Sequence, residues 1–151
     1  MPSFKTERSE KADRGKAAEK EVQKFLEDCS ATRADFDWER LPDARSSMGR
    51  VAAQVADFAY FFTHGHGAIE VKTVAHDFRL ARAKVTQFPK LMKRHRAGGR
   101  CLVLVYHSTL LRWRKVPVHL LDPSATSWDL RAFEEHPALA GALKGFADAY
   151  V

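Results

Sequence analysis

The stretch RCLVLVYH, Arg100–His107, narrows the possible folds more than any other in this 151-residue chain. It is apolar without alternation, with β-branched and aromatic residues, and too short to be a membrane span or a long helix. A strand of that kind is covered on both faces, so it belongs inside a sheet with other elements packed above and below. The sequence around it supplies those elements. Val22, Phe25, Leu26 and Cys29 recur at helical spacing and predict a helix from about Arg14 to Ser30. VADFAYFF (Val55–Phe62) and AIEVKTV (Ala68–Val74) read as strands joined by the turn residues THGHG, which predicts an antiparallel hairpin. A second helix is expected over about Ala83–Arg96, beginning late or bending at Pro89 and stopped by Ala97–Gly99. LLRWRKVPVHLL reads as a further strand. The tail carries one or two helices with Leu139, Leu143 and Phe146 inward. Met1 to about Asp13 reads as a polar tail, residues 31–48 as irregular, and 76–82 as a linking loop. The expected fold class is therefore α/β (α+β), a mixed central sheet flanked by helices, with residues 14–151 forming one domain.

Charge narrows the function. The chain carries a formal net charge of +6, and its acids are unevenly placed. From Phe78 to Leu121 there is no Asp or Glu, yet the segment holds eleven Lys or Arg. Such a one-sided stretch points to a polyanionic partner rather than an ordinary mixed-charge surface. The positive balance suits nucleic acid or an acidic membrane surface, no segment is long and apolar enough to span a bilayer, and DNA rather than a membrane is the partner expected. Two cysteines without a C-x-x-C spacing, Cys29 and Cys101, argue for a reducing, intracellular setting and against a zinc site.

The chemistry gathers at the hairpin. Strand alternation puts Glu70 and Lys72 on one face, with Ile69, Val71 and Thr73 on the other. With a four-residue turn, Thr63–His66, Asp57 falls opposite Lys72 with Glu70 on the diagonal; an odd change in turn length would send it to the other face. Two carboxylates on one face repel unless a cation neutralises them. Oxygen ligands favour Mg²⁺, with Mn²⁺ as a substitute. The lysine supplies positive charge beside an attacking water or a phosphate. A structural ion pair is the plain alternative for Glu70 and Lys72. Upstream, Glu19 and Glu21 flank the apolar stripe of the first helix, and geometry does not choose between them.

Asp57 followed by Glu70-Val71-Lys72 resembles the D-(x)n-E-x-K motif of the PD-(D/E)xK nuclease superfamily, with Ala56 in place of the usual proline. GKAAEKEV, Gly15–Val22, resembles the G-x-x-x-E-x-x-[VIL] helix of Holliday junction resolvases in that superfamily, which selects Glu19. The segment from Lys84 to His107, with Gln87 and the pair Gly98–Gly99, is similar to RecU-type resolvases. The resemblance spans about Gly15–His107 and implies a restriction-endonuclease-like αβββαβ core. It also implies a metal-dependent, structure-selective endonuclease that cuts four-way DNA junctions as a homodimer, in DNA recombination and repair. Asp57, Glu70 and the main-chain carbonyl of Val71 would hold Mg²⁺, and Glu19 would act through water or a second ion. Lys72 would orient the attacking water and Gln87 would fix that water or Lys72.

Arg45, Arg50, Arg82, Lys84, Lys90, Lys93, Arg94 and Arg96 are the candidate DNA contacts. The HGH at 64–66 reads as turn chemistry rather than a metal site. Trp38, Trp113 and Trp128 read as core or loop anchors rather than a base-stacking platform. The alternatives to a resolvase are another nuclease of the superfamily, of restriction or repair type, and a non-catalytic nucleic-acid-binding module.

Overall fold

The computed structural model describes residues 6–42, 54–75 and 77–149. Helix α1 runs over Glu7–Thr32, starting a full two turns before the expected position. The Thr6 hydroxyl accepts from the Ser9 N–H, and Glu7 and Glu10 occupy the positive end of the helix dipole. A capped start lets a polar segment extend a helix whose apolar stripe begins only at Ala18. Ala18, Val22 and Leu26 are its buried residues.

Strand β1, Asp37–Arg40, lies in a stretch expected to be irregular. It is a charged edge strand in which Trp38 alone packs partly against the core, so it leaves no period-two signal. It pairs antiparallel with β2, Phe58–Phe62, which pairs antiparallel with β3, Gly65–Val74. The hairpin is confirmed, but its turn has two residues, Thr63 and His64, instead of four, because Phe62 pairs with Gly65. Gly65 and Gly67 belong to the strand. A Cβ on Gly67 would lie 2.2 Å from the Arg100 carbonyl oxygen and 2.5 Å from the Tyr60 ring, so glycine is there for close approach.

The expected loop at 76–82 contains a short strand, β4 at Arg79–Ala81. A single 3₁₀ turn follows, and α2 spans Phe88–Arg96 with Pro89 in its first turn, so the helix begins late rather than bending at the proline. It ends at Gly98, whose φ of +95° is the left-handed stop expected of AGG. The apolar run becomes β5, Arg100–His107, and antiparallel β6 covers Arg112–Pro117. The tail adds β7 at Ser127–Asp129, β8 at Glu135–His136 and α3 at Leu139–Ala142. Leu139, Leu143 and Phe146 are buried as expected.

The main sheet has the order β1-β2-β3-β5-β6-β8, and β4 pairs with β7 in a small second sheet. β3 and β5 are parallel, joined by the crossover through α2. One face of the sheet, with Tyr60, Ile69, Val71 and Leu104, packs against α1 and α3. The other, with Ala68, Val103 and Val105, packs against α2, Leu80 of β4 and Trp128 of β7. Alternate residues of β5 thus enter two different cores, which is why its sequence does not alternate. Trp113 and Trp128 are core anchors, and Phe58, Tyr60 and Phe62 are buried.

Candidate active site

The site forms where β2 stops short of its partner. Pairing between β2 and β3 ends at Phe58 and Ile69, and the chain before Phe58 bends away. Asp57 sits at that exit. Its N–H donates to the Ile69 carbonyl at 3.1 Å, and its carbonyl accepts from the Leu41 N–H at 2.9 Å. Its side chain then takes the place of the missing strand: Asp57 Oδ2 accepts from the Val71 N–H at 2.8 Å. In a strand the N–H and C=O of one residue point the same way. The Val71 carbonyl therefore faces the gap that β2 vacates, on the side where the Asp57 carboxylate lies.

Extending the observed register places Asp57 across from Glu70 rather than Lys72, the correction that follows from the shorter turn. The change is an even one, so Asp57 keeps the face expected for it. Glu70 is buried, at 7% exposure, and its Oε1 lies 3.2 Å from Lys72 Nζ. Burial and the neighbouring Glu70 push the Asp57 carboxyl up to about 7, against the Val71 N–H and Lys72, which pull it down. Glu70 is raised as well, by burial first, with Lys72 opposing. Glu19 adds negative potential at both carboxylates. Glu21 is exposed, and it acts on Tyr106 instead.

Glu19 is also held. Arg40 Nη2 lies 2.7 Å from its Oε2, and the guanidinium stacks 5.3 Å from the Phe58 ring centroid. Sequence reasoning missed Arg40 because it sits on the unpredicted edge strand. Beside this pair opens a groove lined by Lys16, Glu19, Lys20, Gln23 and Arg40. Its only advance signal is the Lys16–Lys20 spacing on the helix.

Among the described residues no three His, Cys, Asp or Glu side chains gather into one ligand set. What the gap offers a hard cation is two mutually repelling carboxylates and one strand carbonyl, an all-oxygen set of the kind Mg²⁺ takes. Glu19, tied to Arg40, stands outside that set and acts by its field.

Gln87 lies at the start of α2, half-buried, and its side chain makes no capping hydrogen bond. Arg45 and Arg50 lie outside the described residues. Lys84, Lys90, Lys93 and Arg96 are exposed and Arg94 half-exposed, and α2 carries no acid. Arg82 is exposed and donates to the Pro123 carbonyl. The basic segment is not uniformly available, however. Arg114 is buried, donating to His107 Nε2, the Phe133 carbonyl and Glu135, while Arg100 donates to the carbonyls of Phe146 and Asp148. Those two guanidiniums hold the fold together.

Element order α1-β1-β2-β3, crossover through α2, then β5 defines a restriction-endonuclease-like α+β fold, as the motif resemblance implied. Among solved structures, this fold is that of Hjc, a Holliday junction resolvase from the archaeal hyperthermophile Archaeoglobus fulgidus. The two match with a TM-score of 0.55 at 17% sequence identity, over 91% of this chain and 99% of that one. No family model and no curated protein matches the sequence. The likeness is one of fold.

Proposed function

We propose that this chain is a Mg²⁺-dependent, structure-selective DNA endonuclease, a Holliday junction resolvase that works as a homodimer. The observation that carries the reading is the mutually repelling pair of half-buried Asp57 and buried Glu70, with Lys72 3.2 Å from Glu70, in a fold shared with a resolvase. Nothing in the folding of a sheet calls for two carboxylates of raised pKa at a strand exit, and perturbed acids of this kind mark functional sites.

Asp57, Glu70 and the Val71 carbonyl would hold the ion, with Glu19 acting through water. The bound ion would neutralise the pair and acidify a coordinated water. Lys72 lies beside Glu70, where its ammonium orients the attacking water and faces the phosphate. Gln87 fixes that water or Lys72. Arg40, 2.7 Å from the Glu19 carboxylate, holds it in place. Arg82, Lys84, Lys90, Lys93, Arg94 and Arg96, with Arg45 and Arg50, take the phosphates, which suits recognition by shape rather than base sequence. A four-way junction has near two-fold symmetry, so two such sites in a dimer give paired cuts.

The test is cleavage of a labelled four-way junction beside a linear duplex, with and without Mg²⁺ or Mn²⁺. Wild type is expected to nick the junction only with metal. Asp57→Ala, Glu70→Ala and Lys72→Ala should each cut about 10²–10³-fold more slowly while still binding DNA. Equal cutting of the linear duplex rejects the junction assignment in favour of another nuclease on this fold. Binding with no cutting under any metal makes the chain a nucleic-acid-binding module.

A further inference from the structure

The turn between β5 and β6 exposes two leucines. His107 pairs with Arg112, so residues 108–111 form the turn, and Leu110 is 42% and Leu111 64% exposed. Leu111 has a φ of +53°, the only positive φ of a non-glycine residue among the described residues. Glycine or asparagine takes that left-handed conformation far more readily, and neither would put an apolar side chain in solvent. Leucine therefore gains the fold little here: its side chain buries little surface and its backbone crowds its own Cβ.

The tip is nonetheless firmly held. The Ser108 N–H donates to the Val74 carbonyl at 2.8 Å and the Thr109 N–H to the Ala75 carbonyl at 3.2 Å, so the turn carries the β3–β5 ladder past its last strand pair, Val74 with His107. Lys72 pairs with Val105, two residues before that end. The leucines thus stand at the end of the sheet toward which Lys72 lies, roughly 15 Å from it by strand rise and spacing. The other exposed large apolar side chains among the described residues, Phe61 and Leu120, lie toward the opposite end. Phe61 pairs with His66 near the start of β3, and Leu120 comes after Pro117, which pairs with Leu102 near the start of β5.

Two leucines set apart in this way fall far short of the ~800 Å² per partner that a stable protein interface buries. Their setting in the chain is cationic: Arg112 follows directly, and no Asp or Glu occurs from Phe78 to Leu121. An apolar tip on a basic ground fits a partner with phosphates outside and apolar base faces within. Apolar side chains enter DNA by separating stacked bases, and at a branch point that stacking is already interrupted.

We propose that Leu110 and Leu111 form a wedge that enters the branch point of a DNA junction and lies against the base faces there, while the carboxylate site engages a strand. The proposal rests on the junction reading above and adds to it the element that tells a branch from a continuous duplex.

The test uses the full chain without metal, so that binding is read apart from cutting. Wild type is expected to bind a labelled four-way junction at least about tenfold more tightly than the double variant Leu110→Asn, Leu111→Asn, with linear-duplex affinity alike in the two because no charge changes. Asparagine accepts the left-handed backbone, so the variant should melt no lower than wild type. Leu110→Met with Leu111→Met, which keeps an apolar tip, should keep wild-type affinity. The fluorescent base 2-aminopurine, placed beside the branch point, should brighten when the junction is saturated with wild type, as the wedge unstacks it, and stay dim when saturated with the asparagine variant. Equal affinity or equal brightening in the two overturns the wedge and leaves the junction assignment standing. Wild type that neither prefers the junction to the duplex nor brightens the probe overturns both. A lower assembly mass of the asparagine variant in sedimentation assigns the tip to a second copy of the chain. Leucine-dependent binding to phosphatidylserine vesicles without brightening assigns it to a lipid surface, and either result overturns the proposal.

Discussion

Asp57 stands in tension with its surroundings. It is built in for two reasons: its carboxylate replaces a missing strand partner for the Val71 N–H, and it adds charge to a gap that already holds Glu70. Its folded value of about 7 lies above the ordinary aspartate value of 3.8, so folding favours the protonated acid. The stability this gives is full below about pH 4 and is lost as pH rises toward 7. His107 runs the other way. It is buried and accepts from Arg114, and its pKa is lowered by burial and by that guanidinium. Its share of stability is present above 6.5 and lost as pH falls. A comparison with Asp57→Asn separates the two, since His107 is common to both proteins. Asparagine still accepts from Val71 but carries no charge. The metal-free variant should be more stable than wild type at about pH 8, by about 1–3 kcal/mol or roughly 3–10 °C in melting temperature. The gap should close toward about pH 4 and, for wild type, shrink on adding Mg²⁺. A gap independent of pH in thermal melts would refute the repelling-pair account.

At the scale of elements, the hairpin shows how one glycine sets a register. Gly67 pairs with Tyr60 on one side and Arg100 on the other, and only the absence of a Cβ allows both approaches. Read locally, Gly65 and Gly67 look like turn residues, which lengthens the turn by two and slides Asp57 from Glu70 to Lys72. The motif survives that error because the side-chain period of a strand is two. Gly67→Ala should be destabilising by about 2–4 kcal/mol, since backbone and a buried ring both have to shift. Denaturant unfolding measures this, and a loss under about 0.5 kcal/mol would mean that β2 and β5 can slide past β3. β1 carries the complementary lesson. Its charged sequence hides a strand, yet that strand delivers Arg40 to Glu19 and the Leu41 N–H to Asp57.

Across the whole molecule, charge divides into two uses. Arg100 and Arg114 are bound up in the fold, whereas the cations of α2 and the turn before it lie at the surface with no acid among them. If six or more of these surface cations meet phosphates, affinity for DNA should fall by ~10³ or more between low and moderately high salt. Fluorescence anisotropy across a salt series checks it, and a flat response removes the basic surface from DNA binding. Among the described residues no helix is long and apolar enough to cross a membrane.

Sequence alone determined the elements whose physics is local. The unbroken apolar run of β5 required a two-sided core, the helical stripe at Val22 and Leu26 required α1, and Glu70 and Lys72 had to share a face because strands alternate. Only the tertiary structure decided what depends on neighbours distant in the chain. The length of the hairpin turn followed from the approach of Arg100 to Gly67, and the raised pKa of Asp57 followed from burial beside Glu70 and Glu19. The pairing of Glu19 with Arg40 belongs to the same kind. Periodicity is carried by successive residues and can be read from them, whereas a close approach or a buried field exists only once the chain has folded back on itself.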